Sequence, residues 1–142
     1  MKPYIFLPHT ADIKFRAYGK SMEKAFENAA YALTDSMVNH KKVKALKTLK
    51  ISVKSEDEKA LLYDFLEQFL ILADSKGFLL SNVKKLKIKP FDGKGLSLTA
   101  EIVGDTRIEK YDVDTHIKAV TYEEMIVEED QGEVMVQVIL DI

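Results

Sequence analysis

The chain contains no cysteine. That removes disulfide frameworks, thiolate metal sites and cysteine nucleophiles together, and it fits a reducing compartment. No hydrophobic stretch approaches the ~20 residues that a bilayer-crossing helix needs. The opening MKPYIFLPHT does not follow the basic-then-apolar plan of a secretory signal. A cytoplasmic location without a membrane partner is therefore expected. Basic charge is not in surplus either: 21 Lys and Arg face 23 Asp and Glu, a net charge of −2. Proteins whose main work is gripping nucleic acid usually carry a basic excess, because phosphate neutralisation supplies most of their affinity. Glycine-rich phosphate loops and nucleophile elbows are absent as well, which leaves Walker, Rossmann and serine-hydrolase readings unsupported.

What remains is a globular composition. With 142 residues, 46% of them hydrophobic and 31% charged, the chain is long enough to bury a core without staples. One domain over residues 1–142 is the expectation. Ile13, Phe15 and Ala17 alternate with Lys14, Arg16 and Tyr18, a strand with one buried face that stops at Gly19. Asp12 is in phase with Lys14 and Arg16. In SMEKAFENAAYALTDSMVN, apolar residues recur at three and four from Met22 to Met37, with Ser21 as the N-cap, which predicts an amphipathic helix. Leu49, Ile51 and Val53 predict a second strand. Ser55 and Glu58 stand at capping-box spacing ahead of a second helix that Gly77 ends.

The second half reads as strands. Leu86 and Ile88 make a short piece ended by Pro90, and Asp92–Gly95 turns into Leu96–Ile102. A longer strand is predicted from His116 to Glu129. The last run, VMVQVILDI, is apolar in both phases, as a central strand covered on both faces would be. The fold class is α+β: two amphipathic helices packed on a mainly antiparallel sheet.

The chemistry concentrates at the two chain ends. Asp12 opens the first alternating run, Asp141 closes the last, and Ile142 adds its α-carboxylate. If those strands are neighbours, the three anions meet at one sheet end, where they repel one another unless a cation sits between them. Oxygen-only donors suit calcium or magnesium. The competing reading makes both aspartates ordinary strand ends, paired with Lys14, Arg16 or Lys118. His9 is either a ligand or proton carrier, or the residue that orients the Pro8-His9-Thr10 turn. Lys118 either neutralises an anion or snorkels from an edge. Two lysine-rich segments, HKKVKALKTLK and NVKKLKIKP, read first as solvated strand faces that deter edge pairing, with a nucleic-acid surface as the alternative.

PHTADI (residues 8–13), AYGKSMEKAFENAA (17–30), IKAVTY (117–122) and the terminal VILDI together resemble the archease family, over essentially the whole chain. The resemblance implies an α+β accessory protein rather than an enzyme. Its partner would be the RtcB-type tRNA-splicing ligase, whose guanylylation and multiple turnover it promotes and whose nucleotide specificity it can broaden. A general chaperone or modulator of nucleic-acid-processing proteins is the alternative, and no direct nucleic-acid contact is required. The resemblance further implies a divalent metal site on Asp12, Asp141 and Ile142, with His9, Lys118 and Glu123 in support or at a partner surface. Many archeases continue KAVTY with histidine where this chain has Glu123; glutamate keeps an oxygen acceptor but loses a proton donor near neutrality. Outside the family, a metal-dependent hydrolase would use the same carboxylates to activate water. No general base or phosphate loop accompanies them.

Overall fold

Leu49, Ile51 and Val53 turn inward on one strand while Lys50, Ser52 and Lys54 stay in solvent. That division organises the whole fold. The computed structural model describes residues 2–142. In chain order they form β1 (Tyr4–Leu7), β2 (Asp12–Gly19), α1 (Met22–Asp35), β3 (Lys47–Ser55), α2 (Glu58–Lys76), β4 (Leu79–Phe91), β5 (Gly95–Asp105), β6 (Ala119–Asp130) and β7 (Glu133–Asp141). Short 3-10 turns lie at His40–Lys42 and Ile108–Lys110.

The α+β class holds, and every strand pairing is antiparallel. The strands divide into two sheets, in the orders β1-β2-β7-β6 and β3-β5-β4. Each helix contacts strands of both sheets, so one core serves all the layers. The inner residues of β2 and β7, among them Phe15, Val136, Val138 and Leu140, are fully buried. Phe26 of α1 and Phe65 of α2 stack with centroids 6.1 Å apart. Alanines at 25, 29, 30 and 32 let α1 lie close against its neighbours.

The helix caps show where sequence patterning succeeds and where it slips. Ser21 caps α1 as expected, its Oγ accepting the Lys24 N–H at 3.1 Å. The helix ends at Asp35, before the polar run at Asn39, and Met37 and Val38 continue into the core as irregular chain. α2 is capped by Asp57, whose Oδ1 accepts the Ala60 N–H at 2.8 Å, and not by Ser55. Ser55 instead donates to Asp64 at 2.6 Å, tying β3 to α2. Gly77 ends α2 as expected, at φ 63, a left-handed position that glycine takes without a Cβ clash.

Three strands differ from their predicted extents. β1 fits between Pro3 and Pro8, where no strand is expected. β4 runs for 13 residues instead of a short piece at Leu86–Ile88, and it passes through Pro90. Register shifts at Leu80/Asn82 and Lys84/Lys87 break the alternation that would reveal it. β6 starts at Ala119, three residues after His116. β7 is central, between β2 and β6, as its doubly apolar pattern predicts.

Candidate functional site

The register of β2 against β7 sets Asp12 directly opposite Asp141. Directly opposed residues share a face, so the two carboxylates project from the same side of the sheet end. On its other flank Asp141 is paired with Ala119, and its carbonyl accepts the Lys118 N–H at 2.7 Å. Asp141 and Ile142 are both exposed. The ends of three strands therefore converge on the aspartate pair.

Two left-handed backbone positions shape what surrounds it. Ala11, at φ 65, swings the chain from the Pro8–Thr10 connection into β2. Glu124, at φ 52, lies in the bulge of β6 between Thr121 and Ile126. Non-glycine residues in this region carry about 1–2 kcal/mol of strain, which surrounding contacts must hold in place. Those contacts are visible. Gln137, 3% exposed, accepts the Arg16 Nε–H at 2.9 Å and donates Nε2–H to the Glu124 carbonyl at 2.8 Å.

The bulge thereby brings the Glu124 carboxylate over β2. Lys14 Nζ donates to it at 2.9 Å, and His9 Nε2 is 3.7 Å away. The Lys14 hydrogen bond and charge, with a smaller contribution from His9, hold the Glu124 carboxyl below the usual range. The other ring nitrogen of His9, Nδ1, contacts Asp12 Oδ1. The imidazole thus bridges the two acids, one from each of two strands.

Each predicted site residue can now be placed. His9, Asp12, Asp141 and Ile142 share the sheet end, and Lys118 reaches it through its backbone with its side chain exposed. His9 contacts both Asp12 and Glu124 through its ring. Lys14 does not pair with an aspartate; its partner is Glu124. Glu123 is exposed beside the bulge, its backbone N–H held by Thr121 Oγ1 at 3.3 Å. Glu124 was not anticipated. The signal was Glu123-Glu124 inside a strand, two successive acids that break the alternation and mark a bulge.

The donor chemistry fits a hard cation. Asp12, Asp141 and the Ile142 carboxylate offer oxygen, the ligand type of calcium and magnesium. Among the described residues no three His, Asp or Glu side chains gather closely enough to hold a metal by themselves. An ion here would draw on the terminal carboxylate, backbone oxygens and water in addition to the two aspartates. His40, far from this end, is structural: 9% exposed, 2.7 Å from Asp35 Oδ1, and stacked on Tyr31.

Fold and site together define a class: two antiparallel sheets sharing two helices, with acids from the first and last core strands meeting at one sheet end. The sequence pattern of the Archease protein family (MTH1598/TM1083) matches residues 4–142. The chain is 38% identical to Protein archease of Thermococcus kodakarensis over 144 residues, and 37% identical to that of Methanothermobacter thermautotrophicus over 142, with 100% of each chain covered. The solution structure of Methanobacterium thermoautotrophicum protein 1598 superposes with a TM-score of 0.86 at 36% identity, covering 100% of both chains. The crystal structure of a Thermotoga maritima archease, described as a possible chaperone, gives 0.60 at 23% identity over 96% of this chain and 94% of that one, a likeness of fold. This chain belongs to the archease family.

Proposed function

We propose that this protein is an accessory factor, not a catalyst, that activates an RtcB-type tRNA-splicing ligase by promoting its guanylylation and sustaining multiple turnover. The observation that supports this reading is the alignment of Asp12 with Asp141 across β2 and β7, in a chain matched to the archease family from residue 4 to 142. In this account Asp12, Asp141 and the Ile142 carboxylate bind calcium or magnesium. When bound, the ion supplies a positive centre for oxygen ligands. Asp12 and Asp141 fix the donors at the rim of a rigid sheet, His9 fixes the Asp12 carboxylate, and Lys14 holds Glu124 beside them. Activation requires that this surface bind the guanylylation-competent ligase more tightly than the resting form; equal affinity would shift nothing.

The test is multiple-turnover RNA ligation by an RtcB-type ligase from the same source, with GTP and metal, with and without this protein. Stimulation at substoichiometric amounts is expected, and Asp12→Ala should abolish it while the protein stays folded. Full activity of Asp12→Ala removes the acidic end from the mechanism. The second reading, a general chaperone or modulator of nucleic-acid-processing proteins, draws on the description of the Thermotoga maritima relative. It predicts equal protection of unrelated clients, with no special effect on the ligase.

A further inference from the structure

Lysines from two stretches distant in sequence, Lys50 and Lys54 before α2 and Lys85, Lys87 and Lys89 after it, are brought to one surface by the topology. β3 and β4 both pair with β5 and flank it. On the side away from the helices, β3 presents Lys50 and Lys54, and β4 presents Lys85, Lys87 and Lys89, all exposed. Between the rows runs β5, with the Ser97 and Thr99 hydroxyls and one acid, Glu101. Ser52, opposite Thr99, adds a third hydroxyl. Among the described residues Lys85 is the one lysine of these five with a carboxylate in ion-pair range, Glu101 at 3.5 Å. A shallow concavity of about 400 Å³ opens over this face. At the hairpin end Phe91 is 36% exposed, with Lys54 Nζ 4.2 Å above its ring.

The net charge of −2 hides this arrangement because the charges are segregated. From Ser36 to Ser55 the chain carries no acid, and from Glu123 to Glu133 it carries no base. The flanking strands of a three-stranded sheet are about 10 Å apart, and lysines two residues apart on a strand are ~6.7 Å apart. The result is a narrow strip of ammonium groups with hydroxyls between them, interrupted on β4 by the bulge at Lys84/Lys87.

We propose that the outer face of β3-β5-β4 binds the phosphodiester backbone of a nucleic-acid strand. Its composition decides between a nucleic acid and a protein partner. Protein interfaces are centred on apolar and aromatic side chains and are depleted in lysine and serine, and this face has no apolar centre. Lysine, serine and threonine are the residues that contact phosphate oxygens. No arginine on the face offers bidentate readout of a base edge, so the binding is independent of sequence. Phe91 supplies one stacking position at the end of the strip. This inference does not draw on the ligase reading, and either stands if the other fails.

The experiment is fluorescence anisotropy of a labelled 20-nucleotide oligouridine RNA, with a DNA of equal length alongside, titrated at several salt concentrations. Wild-type protein should bind both with a dissociation constant of about 10⁻⁴–10⁻⁶ M near physiological salt. The logarithm of affinity should fall against the logarithm of salt with a slope of about −2 to −3, at roughly −0.7 per phosphate neutralised on a single strand. Lys85→Glu/Lys87→Glu should weaken binding about tenfold or more and flatten that slope by about one, with the neutral Lys85→Gln/Lys87→Gln variant intermediate. Lys20→Glu/Lys76→Glu makes the same change in net charge on exposed residues elsewhere, and should leave affinity within about twofold. Equal loss in both charge-reversal pairs, or no binding by wild type at low salt, overturns the proposal. Salt-sensitive self-association in sedimentation, abolished by the same face variants, also overturns it, because the face then accepts the acidic β6–β7 hairpin of a second copy.

Discussion

The two sheets solve opposite problems with the same antiparallel pairing. At the end of β1-β2-β7-β6, charges of both signs are drawn together, and two non-glycine residues adopt left-handed backbone to make that possible. On β3-β5-β4, lysines with a single acid, Glu101, are spread along strands with little pairing, over an apolar core-facing side. The first arrangement is built by bulge and turn, so its geometry is specific and its partner should be small and defined. The second is built largely by alternation along β3 and β5, with one bulge at Lys84/Lys87 where Lys85 takes φ 54, so its partner should be extended and tolerant. Opposite charges held close mark one kind of site; like charges spread with little pairing mark the other.

The largest effect expected from breaking this contrast lies in the second sheet. A Cβ on Gly104 would stand 1.9 Å from the Leu79 carbonyl oxygen and 2.9 Å from the Phe78 ring. Gly104→Ala should therefore force β4 from β5 and cost about 3 kcal/mol, the upper end of ordinary overpacking, read by denaturant unfolding. An unchanged midpoint would mean that the strands separate freely there. Next comes the junction between the sheets. Tyr31 donates to Asn82 Oδ1 at 2.8 Å and accepts the Val83 N–H at 2.9 Å, joining α1 to β4, and burial pushes its phenol up to about 12. Tyr31→Phe strands both partners and should cost about 1–3 kcal/mol; a loss below a few tenths would show that water replaces the hydroxyl.

A smaller effect should appear with pH at the end of β5. The Tyr111 hydroxyl donates to Asp105 at 2.7 Å and holds its carboxyl below the ordinary value, aided by the Arg107 N–H. A depressed carboxyl contributes stability that is present above its unfolded-state value, near 3.8, and is lost as pH falls through the lower folded value. Melting temperature should therefore drop more steeply below pH 4 in wild type than in Asp105→Asn; parallel curves would contradict the assignment. The smallest change should come from Ala11→Gly, where relief of left-handed strain is partly offset by added unfolded-chain freedom, for a gain of about 0.5 kcal/mol. A loss in its place would mean that Ala11 is unstrained at φ 65.

Most individual elements are legible in the sequence, and the rest are hidden for physical reasons. Alternation in Ile13–Ala17, three-and-four spacing from Met22 and the Gly77 stop are local signals, and each names its element. The doubly apolar last strand marks β7 as central, but that β2 is its neighbour, with Asp12 opposite Asp141, is only a condition in the sequence and is seen in the strand pairing. β1 escaped because four residues between prolines show no period. The first half of β4 escaped because bulges put consecutive residues out of phase. The split into two sheets, and with it the meeting of Lys50 and Lys54 with Lys85, Lys87 and Lys89 on one face, depends on which strands pair, which no local pattern encodes. Glu124 was overlooked for its neighbour, since only the bulge decides which of two adjacent glutamates turns toward Lys14.

In the proposed function Asp12, Asp141 and the Ile142 carboxylate act as one oxygen-donor site. Calorimetric titration of calcium and of magnesium into the wild-type protein, Asp12→Asn, Asp141→Asn and a variant extended beyond Ile142 tests it directly. The account predicts one site in the wild type, lost in both asparagine variants and weakened by the extension, which turns the α-carboxylate into an amide. Binding that is unchanged in Asp12→Asn and Asp141→Asn, or absent from the wild type, would contradict it.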